Sequence, residues 1–282
     1  MRALALLLSA AVLAAADGTV RVFAWDANGA GYVEPVAPIA AGTAVKVVGG
    51  TDGNGFPVLL VLTNDGRVIV WGEGSEDFTR TLPDFAAQPA RDIAIAPSDY
   101  FRATAGAVRQ DGTIVIWGEE VPAVLRFPPR NLPGQYRHLS LSFNHGAAVT
   151  ATGTGVAWGA SGPQLDVPAG ITDVRQVLST GQHTILLSGD GRLHRSGFNS
   201  SFPTPELVAD IPARRIGTSI SDGEWPVVLA DGQVAVGSSD GEDSGGLARI
   251  GNLRALDAIS ERFLVATDGI AYEYSYPDGY LP

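Results

Sequence analysis

The sequence predicts an all-β chain folded as a β-propeller, and three observations predict it. An Asp-Gly or Gly pivot followed by an alternating apolar run recurs seven times, at Asp17-Gly18, Asp65-Gly66, Asp111-Gly112, Gly155, Asp190-Gly191, Asp231-Gly232 and Asp268-Gly269. The clear pivots are spaced by about 48, 46, 41 and 37 residues, with one double step of about 79 across the degenerate fourth copy, close to the forty-odd residues of a propeller blade. Three of the runs end in the same pair, Trp71-Gly72, Trp117-Gly118 and Trp158-Gly159. Finally, 35 glycines with only 17% charged residues suit many short, buried strands joined by tight turns.

Each unit reads as strand A, loop, strand B, hairpin turn, strand C. In the second unit these are residues 44–48, 58–62 and 68–71, with Asn64-Asp65-Gly66 as the B–C turn. Asp-Gly between two β runs predicts a type I′ hairpin, because glycine and, less readily, aspartate tolerate positive φ. The order recurs at 91–96, 104–109 and 114–117, then at 137–142, 147–150 and 156–158. Later A strands are expected at 174–179, 214–218 and 253–259. Pro-bearing links precede most A strands, which places them at outer edges or between units, since proline cannot donate to a ladder. A β-sandwich would also have short strands, but would not require the recurring register.

With these motifs in place, the chain resembles the regulator-of-chromosome-condensation-like (RCC1-like) β-propellers, whose repeat ends in D-G-x-V-x-x-W-G. Asp65, Gly66, Val68, Trp71 and Gly72 carry the match, as do Asp111, Gly112, Ile114, Trp117 and Gly118. His145 and His183 match the family's loop histidine. The layout is most similar to bacterial secreted members such as the propeller-type β-lactamase inhibitor proteins. The likeness covers residues 17–276 and weakens in the last three units, where Ser196, Gly237 and Tyr274 stand in place of the tryptophan. It implies blades of three to four strands. Seven C strands but six A–B pairs support six full blades plus a closing strand, whereas the resemblance implies seven, the family's usual number and the one favoured; the N-terminal strand 20–25 is expected to close the ring.

Residues 1–16, MRALALLLSAAVLAAA, have the layout of a cleaved secretory signal, one Arg before an apolar run that ends in small residues. Cleavage near Ala16 would leave residues 17–282 as a single propeller domain, secreted or periplasmic. The run is shorter than the roughly 20 residues needed to span a bilayer, so no membrane span is expected in the mature chain. Cysteine is absent, which excludes disulfides and thiolate metal sites. A net charge of -11 opposes nucleic-acid binding and suits a basic partner.

Antiparallel alternation places the A–B loops together on one face and the Asp-Gly turns on the other. The A–B loops offer Asp52 and Phe56, then Asp99, Tyr100 and Phe101, then Phe143 and His145, then His183, then Asp222, Glu224 and Trp225, then Arg262 and Phe263. Strand C exits add Glu76, Asp77 and Phe78. Aromatic rings flanked by carboxylates suit a protein partner, possible targets including an enzyme. The same rings could equally plug the gaps between units. The repeat positions of His145 and His183 favour packing and hydrogen bonding over catalysis. An enzymatic alternative would use carboxylate pairs among Asp52, Asp99, Asp222, Glu224 and Glu261 around the axis. A third reading is a structural surface module. No cofactor or metal site is expected: Asp26-Ala27-Asn28-Gly29 and Asp52-Gly53-Asn54-Gly55 resemble only the start of a calcium loop. Gly237-Ser238-Ser239-Asp240-Gly241 matches a nucleophile-elbow pattern but lacks the strand-to-helix context.

Overall fold

The structure is a computed structural model describing residues 10–14, 20–25, 31–35, 44–51, 57–96, 104–118, 121–126, 135–167, 170–197, 206–209, 212–217, 224–238, 248–258, 263–266, 271–275 and 279–281. The described strands form six antiparallel sheets in chain order. The first unit comprises Ala10–Ala14, Val20–Trp25 and Gly31–Pro35, and the second Ala44–Thr51, Pro57–Thr63 and Val68–Trp71. The third is Ala90–Ile95, Ala105–Arg109 and Ile114–Trp117, and the fourth Tyr136–Leu141, His145–Thr150 and Gly155–Gly159. The fifth, Val174–Ser179, His183–Ser188 and Leu193–Gly197, gains an outer strand, Glu206–Ala209. Ala213–Ile216, Glu224–Leu229 and Gln233–Ser238 then continue through the long strand Ala248–Ala258 into Phe263–Ala266, Ala271–Ser275 and Gly279–Leu281. The beginning of Ala248–Ala258 pairs with Gln233–Ser238 and its end with Phe263–Ala266, so one strand serves two hairpin units.

Two details differ from expectation. Strand Val20–Trp25 lies between Ala10–Ala14 and Gly31–Pro35 in its own sheet, and does not extend the last one. The apolar, small-residue segment read as a signal has the composition of a strand as well, and its residues Ala10–Ala14 take that role here. The B–C turns also differ in type. In Thr63–Arg67, Gly66 N–H donates to Thr63 O at 2.9 Å and Thr63 N–H to Arg67 O at 2.9 Å. Gly66 has φ 83°, whereas Asp65 is not in the positive-φ region. This is a three-residue loop, a type I turn completed by a left-handed glycine, rather than type I′. Asp accepts hydrogen bonds from its own turn, as Asp111 does from Thr113 N–H at 2.9 Å, so it gains more by capping the turn than by adopting positive φ.

The same glycine ties each unit to the next. Gly66 O accepts Ala90 N–H at 2.8 Å, Gly112 O accepts Tyr136 N–H at 2.8 Å, Gly153 O accepts Val174 N–H at 2.8 Å and Gly191 O accepts Ala213 N–H at 2.7 Å. In every case the donor opens the next A strand. A strands of successive units touch one another, so they lie innermost. The core sits between units. Val48, Val58, Leu60 and Leu62 of the second unit pack against Ile93, Ile95, Ala107 and Trp117 of the third. Ala94, Ala96 and Val108 meet Leu139, Leu141 and Trp158 in the same way, and Ile185 and Leu187 meet Trp225 and Val227. The sheets of the third, fourth and fifth units are thereby packed on both faces.

A Cβ at Gly112 would lie 2.5 Å from Gln135 Cα, at φ 86°. Gly112→Ala therefore strains the turn and pushes the next A strand away, with an expected loss of about 2–4 kcal/mol. Urea unfolding should show a lower midpoint with an unchanged slope.

Candidate binding face

The A–B connections of the fourth and fifth units are the best-defined part of the expected face. Ser142 Oγ accepts His145 N–H at 3.3 Å and lies 3.0 Å from His145 Nδ1, while Asn144 Oδ1 lies 2.8 Å from the same nitrogen. Thr180 Oγ1 repeats the first of these bonds one unit on, accepting His183 N–H at 3.0 Å. The sequence pattern is Ser or Thr three residues before His, a local side-chain-to-backbone turn that closes the loop without help from neighbours.

The loops are also bonded to each other. Asn144 Nδ2 donates to Gly181 O at 2.6 Å. His145 Nε2 lies 3.0 Å from Thr184 Oγ1, which donates to Gln164 O at 2.8 Å, and Gln164 Nε2 donates to Ala160 O at 3.0 Å. This chain runs from one unit's loop through the next unit's B strand and back to the link between them. His145 and His183 are buried, at 0% and 1% exposure. Burial pushes the His145 imidazole down to about 4, against the opposing effect of a hydrogen bond involving His183. Both histidines thus belong beneath the face. Phe143 is half-buried and Gln182 partly exposed, and these two border the surface.

Trp225 was expected among the presented rings, and the structure places it elsewhere, 1% exposed and opposite Gly237. The reason lies in one cross-strand position. It holds Leu59 with Trp71, Ala105 with Trp117, Gly146 with Trp158, Thr184 with Ser196, and Trp225 with Gly237. A Cβ on Gly146 would lie 2.5 Å from Trp158, and one on Gly237 would collide with Trp225. The slot takes one indole. In the sixth unit the B strand supplies it, and the tryptophan that strand C lacks has moved across the ladder. Phe78 is corrected likewise: it lies on the helix Glu76–Arg80, 1% exposed, in the core between the second and third units with Phe85 and Trp117.

Asp52, Phe56, Asp99, Tyr100, Phe101, Asp222, Glu261 and Arg262 lie outside the described residues. Glu224 opens strand Glu224–Leu229 and Phe263 opens Phe263–Ala266, so both are strand residues at the end where the loops gather.

One arrangement was not foreseen. Each A strand from the second unit on carries a β-bulge near its start, and the residue after the bulge is polar: Lys46, Asp92, His138, Gln176, Arg215 and Asp257. Asp92, 6% exposed, accepts Lys46 Nζ–H at 2.5 Å through Oδ1 and Leu139 N–H at 2.8 Å through Oδ2. Gln176 Oε1 accepts Ile216 N–H at 3.0 Å. These side chains bond the inner strands of neighbouring units. Asp92, the buried carboxylate described near the axis, is thereby satisfied by structural partners.

Among solved structures the chain is similar to yeast RCC1 (Prp20), seen bound to Kap60, at 14% sequence identity and TM-score 0.61, covering 86% of this chain and 72% of that one. It is also similar to the ectodomain of the Physcomitrella patens receptor kinase CR4, at 14% identity and TM-score 0.59, covering 95% and 74%. Human WBSCR16 follows at 17% identity and TM-score 0.58, covering 90% and 82%. The fold is that of an RCC1-like β-propeller. No family model matches the sequence, and no curated protein matches it. Within the propeller, the innermost A strands make Lys46, Asp92 and His138 an axial row, and the Ser142–His145 and Thr180–His183 loops one rim. Among the described residues no helix is long and apolar enough to cross a membrane.

The His145 ring stays neutral in the propeller between pH 6.5 and about 4, where the unfolded imidazole takes up a proton. Stability is therefore full above about pH 6.5 and falls as the pH drops towards 4, by up to about 3 kcal/mol. In His145→Gln the fall in Tm across this window should shrink. Below pH 4 both proteins should lose stability alike as Asp65, Asp111 and Asp190 protonate, since turn hydrogen bonds hold these carboxyls below their ordinary value.

Proposed function

We propose that this chain is an exported, non-enzymatic binding propeller that holds a basic protein partner on its A–B loop face. The observation that supports this reading is the hydrogen-bonded continuity of that rim from Asn144 to Gly181 and from His145 to Thr184. Loops ordered before contact lose little further entropy on binding, so a rim built this way suits recognition of a folded surface. Half-buried Phe143 supplies apolar area at its edge. In the sequence, Tyr100, Phe101 and the acidic Asp52, Asp99 and Asp222 fall in the A–B connections of other repeats, and carboxylates on such a face would complement a basic surface and speed encounter. The similar structures are consistent with this use: yeast RCC1 is seen bound to Kap60, and the Saccharomyces cerevisiae Prp20p study concerns binding to Gsp1p and histones. An enzyme is one class of protein that such a face could hold.

Export is the second half of the proposal and rests on the apolar segment 1–16. Protein recovered from the medium or periplasm should begin near Asp17 on N-terminal sequencing. Recovery of the intact chain from the cytosol alone overturns export.

For the face, the tagged protein is used to capture partners from the producing culture, alongside Tyr100→Ala and Phe143→Ala. The expected result is one partner captured by the parent chain and weakened about tenfold or more by each variant, with thermal melts unchanged. Equal capture by both variants would remove the A–B face from consideration.

A further inference from the structure

We propose that residues 1–16 form the A–B hairpin of the first unit, with residues 1–6 docked as an inner strand on the edge of Ala10–Ala14, so that folding and cleavage near Ala16 compete for one segment. The pairing of Ala10–Ala14 with Val20–Trp25 carries the argument. It runs from Ala10 with Ala24, through Ala11 with Phe23, to Ala14 with Val20. Strands B and C of the fourth unit pair from His145 with Gly159, through Gly146 with Trp158, to Val149 with Gly155. Those of the fifth pair from His183 with Gly197, through Thr184 with Ser196, to Leu187 with Leu193. The three registers superpose pair for pair without a gap. Ala10–Ala14 therefore holds the B place, Val20–Trp25 the C place, and Gly31–Pro35 the outer place that Glu206–Ala209 takes in the fifth unit. In the fourth and fifth units an A strand covers the inner edge of strand B; among the described residues Ala10–Ala14 ends its sheet. An open strand edge at the inner side of a ring calls for a backbone partner.

The sequence upstream supplies one in the same frame. Arg2 precedes Gly18 by sixteen residues, as Arg137 precedes Gly153 and Arg175 precedes Gly191. Arg137 and Arg175 stand outside the ladder at the bulges that open their A strands, so an arginine followed by apolar residues is how an A strand begins in this chain, as well as how a secretory signal does. Leu4 and Leu6 fall at the positions of Leu139 and Leu141, both buried between the third and fourth units. Residues 7–9 fall at the positions of the A–B loops 142–144 and 180–182.

The consequence concerns the order of events in export. Cleavage near Ala16 falls between strands Ala10–Ala14 and Val20–Trp25, where the first unit has its B–C turn. A chain cleaved before it folds begins its first unit at Val20–Trp25, without either inner strand. A chain that folds first holds the segment in the sheet. Capture of a partner on the A–B face does not enter this inference.

The chain has no cysteine, so introduced pairs report the register directly. In the fourth unit Ser142 N–H donates to His145 O, which makes Leu139 and Ala148 a facing pair without mutual hydrogen bonds, close enough for a disulfide. Their counterparts are Leu4 and Leu13. In the full-length chain, purified uncleaved from the cytosol and oxidised, Leu4→Cys with Leu13→Cys should cross-link within one chain. Leu4→Cys with Val12→Cys, one position out of register, should do so about tenfold less. Leu4→Asp and Leu6→Asp should each lower the Tm by about 5 °C or more, and Leu8→Asp, at a loop position, by no more than about 1 °C. A signal that is merely apolar treats the three leucines alike. The proposal is overturned by equal cross-linking of the two pairs, by no cross-link between positions 4 and 13, by a disulfide that joins two chains instead, or by equal melts of the three Asp variants. N-terminal sequencing of the exported protein is a separate measurement in the producing host, so export and this pairing can each fail alone.

Discussion

The bond from each B–C turn to the next unit is the constraint on which the propeller depends. A glycine carbonyl at the end of one hairpin accepts the first N–H of the following A strand at four successive interfaces, all at 2.7–2.8 Å. One residue reverses the chain, adopts a conformation that disfavours side chains, and touches the neighbouring backbone so closely that a Cβ has no room. The bond sets the height at which every A strand begins. From that origin the bulge, the polar residue after it and the apolar residues beyond it fall at equal depth in every unit. The links between units can then vary freely, as a helix at Glu76–Arg80, a short 3-10 turn at Pro163–Leu165 or an outer strand at Glu206–Ala209, without altering the ring.

Packing between units explains why the tryptophans recur and why they are not ligand groups. The indoles of Trp117, Trp158 and Trp225 fill slots between adjacent sheets, and their cross-strand partners are small: Ala105, Gly146 and Gly237. Dense interiors conserve volume rather than residue position. The sixth unit keeps its volume by moving the ring to Trp225.

Much of the fold was legible in the strand patterning: residues 20–25, 68–71, 114–117 and 174–179 were located to the residue, and most other strands to within one or two. His145 and His183 were legible as structural because they recur at one repeat position. Trp225 was not legible, since a sequence near a loop does not reveal which strand's side chain fills the slot between sheets. The axial row was not legible, because Lys46, Asp92, His138, Gln176, Arg215 and Asp257, though at a constant offset from each A strand's start, share no single chemistry, only the ability to hydrogen-bond. The exposure of Arg91, Arg175 and Arg214 at the bulges was hidden for a related reason. A β-bulge interrupts the period of two, so alternation assigns the wrong face to the residue it displaces.

By itself, the sequence determined a repeated β architecture, because turn glycines and apolar alternation are local properties carried by neighbouring residues. It also determined which face each connection joins, because hairpins alternate in direction. The tertiary structure alone decided which side chains reach solvent. That outcome depends on the partner across the sheet and on the adjoining unit, both separated from the residue by tens of positions in the chain. Burial of Trp225 and His145 and the pairing of Asp92 with Lys46 are consequences of contacts between units, which no stretch of a single unit contains.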